Sequence, residues 1–317
     1  MAYWIVTGGA GFIGSHIVET LLHQGEKVKV IDNFSTGKRE NLQFSEQTVK
    51  GELEIVEADI RDLNVLRREF KYADYVLHQA ALRSVPQSYH NPLEYDEVNV
   101  RGTLNVLLAA RECGVKRVVY ASSSSVYGER EDLPEKENDL PNPVSIYAAS
   151  KLNGEYYCNV FNHLYGLETV ILRYFNVFGP RQSLENKYAV VIPKFIVCFL
   201  KGENPPIYGD GYQSRDFTYI KNVVKANILS VLKPEAKGKV FNIANGKAHT
   251  VLEIYEFIKN YFGCDLEPKF ESPRPGDVRH TLGDISRARE VLGYVPEVDF
   301  QQGMLLTIKW FQERFEL

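Results

Sequence analysis

Short apolar runs alternate with amphipathic stretches along the first half of this chain. The apolar runs predict buried strands at residues 3–6, 27–31, 53–57, 75–78, 117–121 and 168–173. Apolar positions at helical spacing lie between them, most clearly over 95–113 and 147–163. Because strands that alternate with helices form parallel sheets, the pattern predicts an α/β fold with a doubly wound parallel sheet.

The pattern changes after residue 176, where loops lengthen and polar and aromatic residues cluster. Apolar spacing predicts helices at 223–231, 251–262 and 304–315, which either cover the sheet or build a smaller lobe. We expect a nucleotide-binding domain at 1–176 that also includes 216–245. We expect a smaller C-terminal α/β lobe, which binds the substrate, at 177–215 and 246–317.

The first predicted strand leads into glycines at positions 8, 11 and 14. Gly8 suits the strained turn, Gly11 lets backbone N–H groups approach a pyrophosphate, and Gly14 lets the following helix pack closely on the sheet. The N-terminus of that helix offers free N–H donors to phosphate. About twenty residues on, the second strand ends in Asp32, whose carboxylate would bind an adenosine ribose and repel a 2′-phosphate. These features predict a Rossmann-like domain that binds NAD rather than NADP.

Other cofactor contacts are expected where the predicted strands end, since ligands bind there in open parallel sheets. The loop 33–38 reaches the adenosine end or is an ordinary surface loop, and Asp62 is expected to cap the next helix. Asn99 is a polar residue within a predicted helix. The expected contacts besides the three glycines and Asp32 are Phe12, Ile13, Asn33, Ser35, Thr36, Gly37, Asp59, Ile60, Gln79, Ala80, Ala81, Asn99, Ser122, Tyr147, Lys151 and Tyr174.

The candidate catalytic chemistry lies just after the serine-rich end of the fifth strand, residues 122–125. Tyr147 and Lys151 are four residues apart and share one face of a predicted helix. A nearby ammonium favours the phenolate, so this spacing predicts that Tyr147 is a base whose pKa is lowered by Lys151. Tyr255 and Lys259 have the same spacing in a helix that is merely amphipathic, so it is the position after the serines that distinguishes Tyr147.

The composition of the chain narrows the range of possible functions. The chain has 317 residues, is 44% hydrophobic and 25% charged, and carries a net charge of −4, which offers no general attraction for nucleic acid or anionic membranes. No apolar run is long enough to span a bilayer, and no secretory leader pattern is present. Four cysteines lie far apart without a CxxC pair, which favours free thiols and argues against a metal site. We expect a cytoplasmic protein.

Several motifs together resemble the extended short-chain dehydrogenase/reductase family. They are the sequence TGGAGFIG at 7–14, the run 122–128, and the pair Tyr147 and Lys151. The segments RYFNVFG at 173–179, SRD at 214–216 and RPGD at 274–277 are similar to those of its nucleotide-sugar 4-epimerases. The resemblance extends over nearly the whole chain, and the combination of motifs is far more specific than any one of them.

The resemblance implies an NAD-dependent UDP-hexose 4-epimerase, an isomerase. Ser123 would bind the sugar 4-hydroxyl, Tyr147 would remove its proton, and Lys151 would hold the nicotinamide ribose. Members of the family are commonly homodimers joined by the helices that start near Tyr95 and Tyr147. The substrate contacts that the resemblance implies are Arg83, Ser123, Ser124, Tyr147, Asn176, Val190, Val191, Tyr208 (against uracil), Arg215, Arg274, Asp277 (at the uridine ribose) and Thr281. Taken from the sequence alone, Arg215 and Arg274 are either a diphosphate clamp or solvated surface arginines.

Single positions in the sequence distinguish this activity from other activities of the same family. Sugar 4,6-dehydratases and decarboxylases carry an acidic residue after the position of Ser123, where this chain has Ser124 and Ser125. An NADPH-consuming reductase is disfavoured by Asp32. A UDP-glucuronate 4-epimerase stays open, because the Arg83 region is compatible with it, and a non-catalytic nucleotide-binding protein is a more distant alternative. The small Thr281 stands where a large aromatic residue would exclude N-acetyl groups, so we expect UDP-GlcNAc and UDP-GalNAc to be accepted beside UDP-glucose and UDP-galactose.

Overall fold

Seven parallel strands form the central sheet of the protein, whose computed structural model describes residues 1–45, 48–183, 190–273 and 278–315. The six predicted strands all belong to this sheet, in the order β6–β5–β4–β1–β2–β3. Their bounds are β1 Tyr3–Thr7, β2 Lys27–Asp32, β3 Glu52–Glu57, β4 Tyr75–His78, β5 Arg117–Ser123 and β6 Glu168–Tyr174. The prediction of a doubly wound parallel sheet is confirmed.

The seventh strand pairs with β6 at the edge of the sheet. It was not predicted from the sequence, because its apolar run is four residues long and is interrupted by Asn242. In the structure Asn242 is buried, and its side chain binds the carbonyls of Glu135 and Asp284 and the hydroxyl of Tyr127. Only the surrounding segments satisfy this amide, so its burial could not be seen in the pattern.

Helices cover both faces of the sheet. Residues of the first and eighth helices belong to one apolar core, and residues of the second, fifth and sixth helices belong to the other. As predicted, the side chain of Asp62 caps the second helix by accepting the N–H groups of Asn64 and Val65. The helix bounds are α1 Phe12–His23, α2 Leu63–Glu69, α3 Val85–His90, α4 Pro92–Tyr95, α5 Gly102–Glu112, α6 Ile146–Tyr165, α7 Val191–Lys201, α8 Ile220–Leu232, α9 Val251–Phe262 and α10 Phe300–Phe315.

The helix predicted over 95–113 is interrupted. Between α4 and α5 lies a π-helical segment, Asp96–Arg101, which carries Asn99. Such widened turns are frequent near functional sites because they redirect side chains. Gly102 follows the segment, and a Cβ there would lie 2.6 Å from the side chain of Ile60. Apolar spacing predicted the helix but could not show this local change of pitch.

The remaining strands form two small sheets. One has the order β11–β9–β7, and the other pairs β12 with β8. The bounds are β7 Asn176–Phe178, β8 Pro206–Tyr208, β9 Ser214–Tyr219, β10 Val240–Ile243, β11 Ala248–Thr250 and β12 Lys269–Glu271, where β10 is the seventh strand of the main sheet. The four cysteines are free, and two of them, Cys158 and Cys198, are buried. None of the helices described is long and apolar enough to cross a membrane. The division of the chain into two domains stays a prediction.

A buried ion pair joins α6 to the neighbouring strands β5 and β6. The Arg173 guanidinium on β6 donates from Nε and Nη2 to both oxygens of Glu155, at 2.9 and 2.7 Å. The hydroxyl of Ser122 on β5 donates to the same carboxylate, and the Arg173 side chain lies over the ring of Tyr127. Both charged side chains are at most 4% exposed. Losing either partner would therefore leave an uncompensated charge in the interior.

We expect Glu155→Gln to destabilise the protein by about 3–5 kcal/mol, because Arg173 would stay buried without a counter-charge. Urea denaturation at neutral pH would measure this. The matched control is Glu112→Gln, which removes the carboxylate from an exposed ion pair with Arg67 and should change the stability little. Equal effects of the two substitutions would contradict the interpretation.

Candidate active site

A long cleft of about 1010 Å³ opens at the carboxyl ends of the central strands and continues to α10. Ligands bind at this edge in open parallel sheets. The cleft brings together residues from distant parts of the chain. The predicted cofactor contacts that line it are Gly8, Gly11, Phe12, Ile13, Gly14, Asp32, Asn33, Ser35, Thr36, Gly37, Asp59, Ile60, Gln79, Ala80, Ala81, Ser122, Tyr147, Lys151 and Tyr174.

The glycine turn after β1 has no room for side chains. A Cβ on Gly8, whose φ is +69°, would lie 2.6 Å from the backbone nitrogen of Ala80. A Cβ on Gly14 would lie 2.2 Å from the carbonyl oxygen of Gly8, so this glycine lets α1 lie against the turn itself. Gly11 precedes α1 and provides no side-chain cap. The first N–H groups of α1 therefore face the cleft as donors for an anionic group such as a pyrophosphate.

The end of β2 forms the adenosine side of the cleft. Asp32 accepts the N–H of Ala10 at 2.9 Å and that of Phe34 at 2.8 Å, while burial raises the pKa of its carboxyl group. A Cβ on Gly37 would lie 2.9 Å from the same carboxylate, so the loop after β2 folds closely over it. A carboxylate can accept about four hydrogen bonds, which leaves Asp32 the capacity to bind ribose hydroxyls.

Asp59, at the end of β3, stands beside this loop. Its carboxylate accepts a hydrogen bond from Asn33 at 2.9 Å and pairs with Arg61, whose hydrogen bonds lower the pKa of Asp59 to about 2. The tightly packed glycine turn, the uncapped N-terminus of α1 and the carboxylates of Asp32 and Asp59 together fit a dinucleotide. Its adenosine would lie between β2 and β3. The individual contacts stay predictions.

The candidate catalytic residues meet at the centre of the cleft. Ser123 ends β5, and its hydroxyl donates to Ser125 Oγ at 3.0 Å and lowers the pKa of the Tyr147 hydroxyl. Ser145 caps α6 by accepting the N–H of Ala148, which places Tyr147 in the first turn of the helix. One turn later Lys151 is buried, and its ammonium donates to the carbonyl of Ala121 at 2.9 Å.

Burial dominates the electrostatics of this group. Burial raises the pKa of the Tyr147 hydroxyl, while the Ser123 hydroxyl and the positive charge of Arg83 lower it. Burial lowers the pKa of Lys151 to about 7, because its surroundings oppose a charge and its ammonium points to the β5 backbone. The lowering of the Tyr147 pKa by Lys151 stays a prediction.

Asn99 lies behind the cleft rather than in it. Its side-chain oxygen accepts the N–H of Leu82 at 2.8 Å, and its amide nitrogen donates to the Leu82 carbonyl and to Ser150 Oγ, each at 2.9 Å. All of these partners belong to the protein, and the residue is 1% exposed. Asn99 thus braces the wall of the cleft, and the structure does not support its predicted contact with the cofactor.

Only some of the predicted substrate contacts line the cleft. Arg215 donates to the backbone carbonyls of Ser214, Val278 and Arg279, so part of its guanidinium already holds the protein together. Val191 and Tyr208 are not among the cleft-lining residues, and Arg274 and Asp277 lie outside the described residues. The predicted substrate contacts that line the cleft are Arg83, Ser123, Ser124, Tyr147, Asn176, Val190, Arg215 and Thr281.

Thr281 lies in a wall that is fixed by its neighbours. Its N–H donates to the Ser214 carbonyl at 3.1 Å, and its hydroxyl accepts the N–H of Asp216 at 3.4 Å. The carboxylate of Glu135 accepts the N–H of the next residue, Leu282, at 2.7 Å. Burial raises the pKa of Glu135 to about 7 and that of Asp216 to about 6. This buried polar framework holds Thr281 at the cleft.

Some residues that line the cleft were not predicted from the sequence. Trp310 and Arg314 of α10 line the cleft, although they are far from every motif in the chain. Only tertiary folding brings them there. The position of Glu155, in contrast, could have been predicted from the sequence. Glu155 stands four residues after Lys151 and therefore shares the face of α6 that carries Tyr147 and Lys151.

Comparison with known proteins agrees with this geometry. Residues 4–244 match the model of the NAD dependent epimerase/dehydratase family. A UDP-glucose 4-epimerase of Mycolicibacterium smegmatis is 39% identical over 313 residues, which are 98% of each chain. A UDP-N-acetylglucosamine 4-epimerase from Methanobrevibacter ruminantium, solved with UDP-N-acetylmuramic acid, is 44% identical with a TM-score of 0.93 and 99% of each chain covered.

A UDP-glucose 4-epimerase of Thermus thermophilus, solved with NAD, is similar over nearly its full length. It is 37% identical, with a TM-score of 0.88, and the match covers 98% of this chain and 99% of that one. The prediction of NAD as the cofactor is confirmed by the family match. The glycine cradle, the Ser123–Tyr147–Lys151 group and these similarities lead to one conclusion: the chain belongs to the NAD-dependent epimerase/dehydratase family.

Proposed function

We propose that this protein is a UDP-sugar 4-epimerase that interconverts UDP-glucose with UDP-galactose and UDP-GlcNAc with UDP-GalNAc. The observation that carries the proposal is that Ser123, Tyr147 and Lys151 line the same cleft as the glycine turn that fits NAD. The similarity to two UDP-glucose 4-epimerases and to a UDP-N-acetylglucosamine 4-epimerase supports it.

The proposed chemistry assigns one task to each of the three candidate catalytic residues. Ser123 binds the sugar 4-hydroxyl, and the deprotonated Tyr147 takes the proton of that hydroxyl. NAD, when bound, would supply the acceptor and the donor for the C4 hydride. The 4-keto sugar then turns over in the cleft, and Tyr147 returns the proton to the oxygen of the opposite epimer. Lys151, which is buried one turn later on α6, would hold the nicotinamide ribose.

The residues after Ser123 favour epimerisation over elimination. A dehydratase or decarboxylase acts on a second carbon of the sugar and uses an acid or base for this purpose. Ser124 and Ser125 follow instead, and a hydroxyl of ordinary pKa does not perform that work unaided. We therefore propose that the reaction ends when the hydride returns to C4.

A second candidate substrate is UDP-glucuronate. Arg83 lines the cleft near Tyr147, where a cation could bind a sugar carboxylate. The similar M. ruminantium epimerase, solved with UDP-N-acetylmuramic acid, supports a pocket for acidic sugars in this family. The assay below includes this substrate as a separate arm.

The first experiment tests epimerisation directly. Purified protein without added cofactor would be incubated separately with UDP-galactose, UDP-GalNAc and UDP-glucuronate, and C4 epimers would be followed by chromatography. We expect conversion of UDP-galactose and UDP-GalNAc, and a loss of about 10²–10⁴-fold in kcat for Tyr147→Phe, since proton transfer by a positioned side chain contributes about this much. Conversion of UDP-glucuronate alone would favour the second candidate. No conversion of any, even with NAD, would contradict the proposal.

The acceptance of N-acetylated sugars is tested at Thr281. A large aromatic ring in this wall would fill the space beside the sugar, so Thr281→Tyr should abolish turnover of UDP-GalNAc while keeping that of UDP-galactose within about tenfold. Thr281→Val is the matched control, because its size is nearly unchanged. Ratios of kcat/KM for the two sugars give the result. An unchanged ratio in the tyrosine variant would show that Thr281 is not the gate.

We also propose a homodimer joined through α6 and the helices that precede α5. Tyr156, Val160 and Leu164 are spaced one turn apart on α6 and are 56%, 44% and 65% exposed, and Leu93 on α4 is 79% exposed. Apolar side chains that recur at this spacing form one face, which a partner helix could cover.

The dimer proposal predicts the oligomeric state. Val160→Asp together with Leu164→Asp should convert the protein to a monomer in sedimentation experiments, because the new carboxylates would be buried at the interface. The control carries Leu305→Asp and Leu306→Asp on α10, which are similarly exposed and lie outside the proposed interface. Dissociation by the control alone would place the interface elsewhere.

A further inference from the structure

Thr281 belongs to a short segment, residues 278–284, that borders the cleft. Val278 and Thr281 of this wall segment line the cleft. The start of β9 holds the wall segment through its backbone. The N–H of Thr281 donates to the Ser214 carbonyl, and the N–H of Ser214 donates to the Arg279 carbonyl, each at 3.1 Å. These bonds attach the wall segment to the small sheet that contains β9.

Glu135 provides a second attachment, directly beside Thr281. Its N–H donates to the Leu282 carbonyl at 2.8 Å, and its carboxylate accepts the N–H of Leu282 at 2.7 Å. Both backbone groups of Leu282 are thus bound by one residue, which is 1% exposed. The Glu135 carbonyl in turn accepts the N–H of Asp284 at 2.9 Å. Together these bonds fix the backbone on the C-terminal side of Thr281.

The segment that carries Glu135 connects the two elements that present the candidate catalytic hydroxyls. It comprises residues 128–145 and lies between the short helical turn after β5 and the start of α6. The segment is closed at its base, where the N–H of Asn142 donates to the Val126 carbonyl at 3.0 Å. Glu135 therefore joins the wall segment to the part of the chain that carries the candidate catalytic serine and tyrosine.

Close packing at Gly283 limits the movement of the wall segment further. A Cβ on Gly283 would lie 2.8 Å from the ring of Phe175 and 2.8 Å from the Cβ of Ala244. Phe175 itself lines the cleft, beside the predicted substrate contact Asn176. A segment packed this closely has one well-defined position as long as its hydrogen bonds are kept.

We infer that Glu135 is a positioning residue for the substrate: by holding Leu282 it sets the space beside Thr281, and so the acceptance of an N-acetyl group on the sugar. The inference rests on the proposed function, in which Thr281 stands beside that group. The contact does not depend on the raised pKa of Glu135, because a carboxyl group keeps an acceptor oxygen in either protonation state. Glu135 acts on the sugar only through the backbone of the wall segment.

Glu137 provides a matched comparison on the same segment. Its side chain is 5% exposed, and its carboxylate accepts the N–H of Asn242 on β10 at 2.9 Å. Its other described contact is an ion pair with Arg287 at 3.8 Å. Loss of either carboxylate removes a hydrogen bond from the interior, but only the loss at Glu135 releases the wall segment.

The inference is tested with Glu135→Met, which removes the carboxylate acceptor but keeps a long side chain. Glu135→Gln keeps an acceptor, because its amide oxygen can bind the Leu282 N–H, and Glu137→Met is the control. Each substitution is made in the Tyr147→Phe protein, in which turnover is suppressed. Binding of UDP-galactose and of UDP-GalNAc can then be measured separately by calorimetry with NAD present.

We expect Glu135→Met to weaken the binding of UDP-GalNAc about tenfold relative to that of UDP-galactose, since a hydrogen bond to a carboxylate contributes on this order. Glu135→Gln should bring the ratio of the two affinities back to within about threefold of the parent protein. Glu137→Met should leave the ratio unchanged, because its lost contact is with β10.

Hydrogen exchange without substrate provides a second measurement. Exchange of the backbone amides at 278–284, followed by mass spectrometry, should be faster in Glu135→Met than in the parent, because the Leu282 N–H loses its acceptor. Glu137→Met should leave this exchange unchanged. Circular dichroism would confirm that the variants are folded, and Glu135→Ala would replace an unfolded Glu135→Met.

The outcomes separate the inference from the proposed function. An unchanged affinity ratio in a folded Glu135→Met protein would overturn the inference even if exchange is faster, and so would the same change of ratio in Glu137→Met. Binding of neither sugar by the parent would overturn both proposals. If the ratio changes as expected but the unmodified protein converts no UDP-sugar, the inference about Glu135 stands and the proposed epimerase activity fails.

Discussion

Burial of ionisable groups at the ends of the central strands is the constraint on which the site depends. A base that works beside a dinucleotide must be shielded from water, yet shielding opposes its charge. In this protein burial raises the pKa of Tyr147 and lowers that of Lys151, so burial makes the charged form of each less favourable. The Ser123 hydroxyl and the charge of Arg83 oppose the effect on the pKa of Tyr147. The arrangement around the cleft is largely the set of contacts that keeps these groups in place.

The helix α6 carries most of that arrangement on one face. Tyr147, Lys151 and Glu155 follow one another at intervals of four residues. The first faces the cleft, the second binds the backbone of β5, and the third is clamped to Arg173 and Ser122. The ion pair deep in the core thus holds the same helix and the same strand end that carry the candidate catalytic hydroxyls.

The cofactor end relies on the backbone rather than on charge. The turn after β1 is packed so closely that side chains at Gly8 and Gly14 would overlap neighbouring backbone atoms. The free N–H groups of α1 can therefore face an anion without a side chain in between. Because the same turn also packs against Ala80 at the end of β4, the two ends of the cleft share one rigid edge of the sheet.

The sequence by itself determined six strands of the central sheet, most helices, the glycine turn after β1 and the positions of Ser123, Tyr147 and Lys151. These features depend on local periodicity and on residue types with strong conformational preferences, which act over a few neighbouring positions. The edge strand β10 was not predicted, because the hydrogen-bond partners of the buried Asn242 side chain come from segments about forty to a hundred residues away.

Tertiary structure decided which charges act on which groups. Spacing along a helix suggested that Lys151 lowers the pKa of Tyr147, but the direction of the Lys151 side chain and its burial are set by β5. Arg83 and the brace made by Asn99 belong to other segments, and α10 reaches the cleft from the far end of the chain. Electrostatic effects depend on distance and burial in space, and neither can be read from positions along a chain.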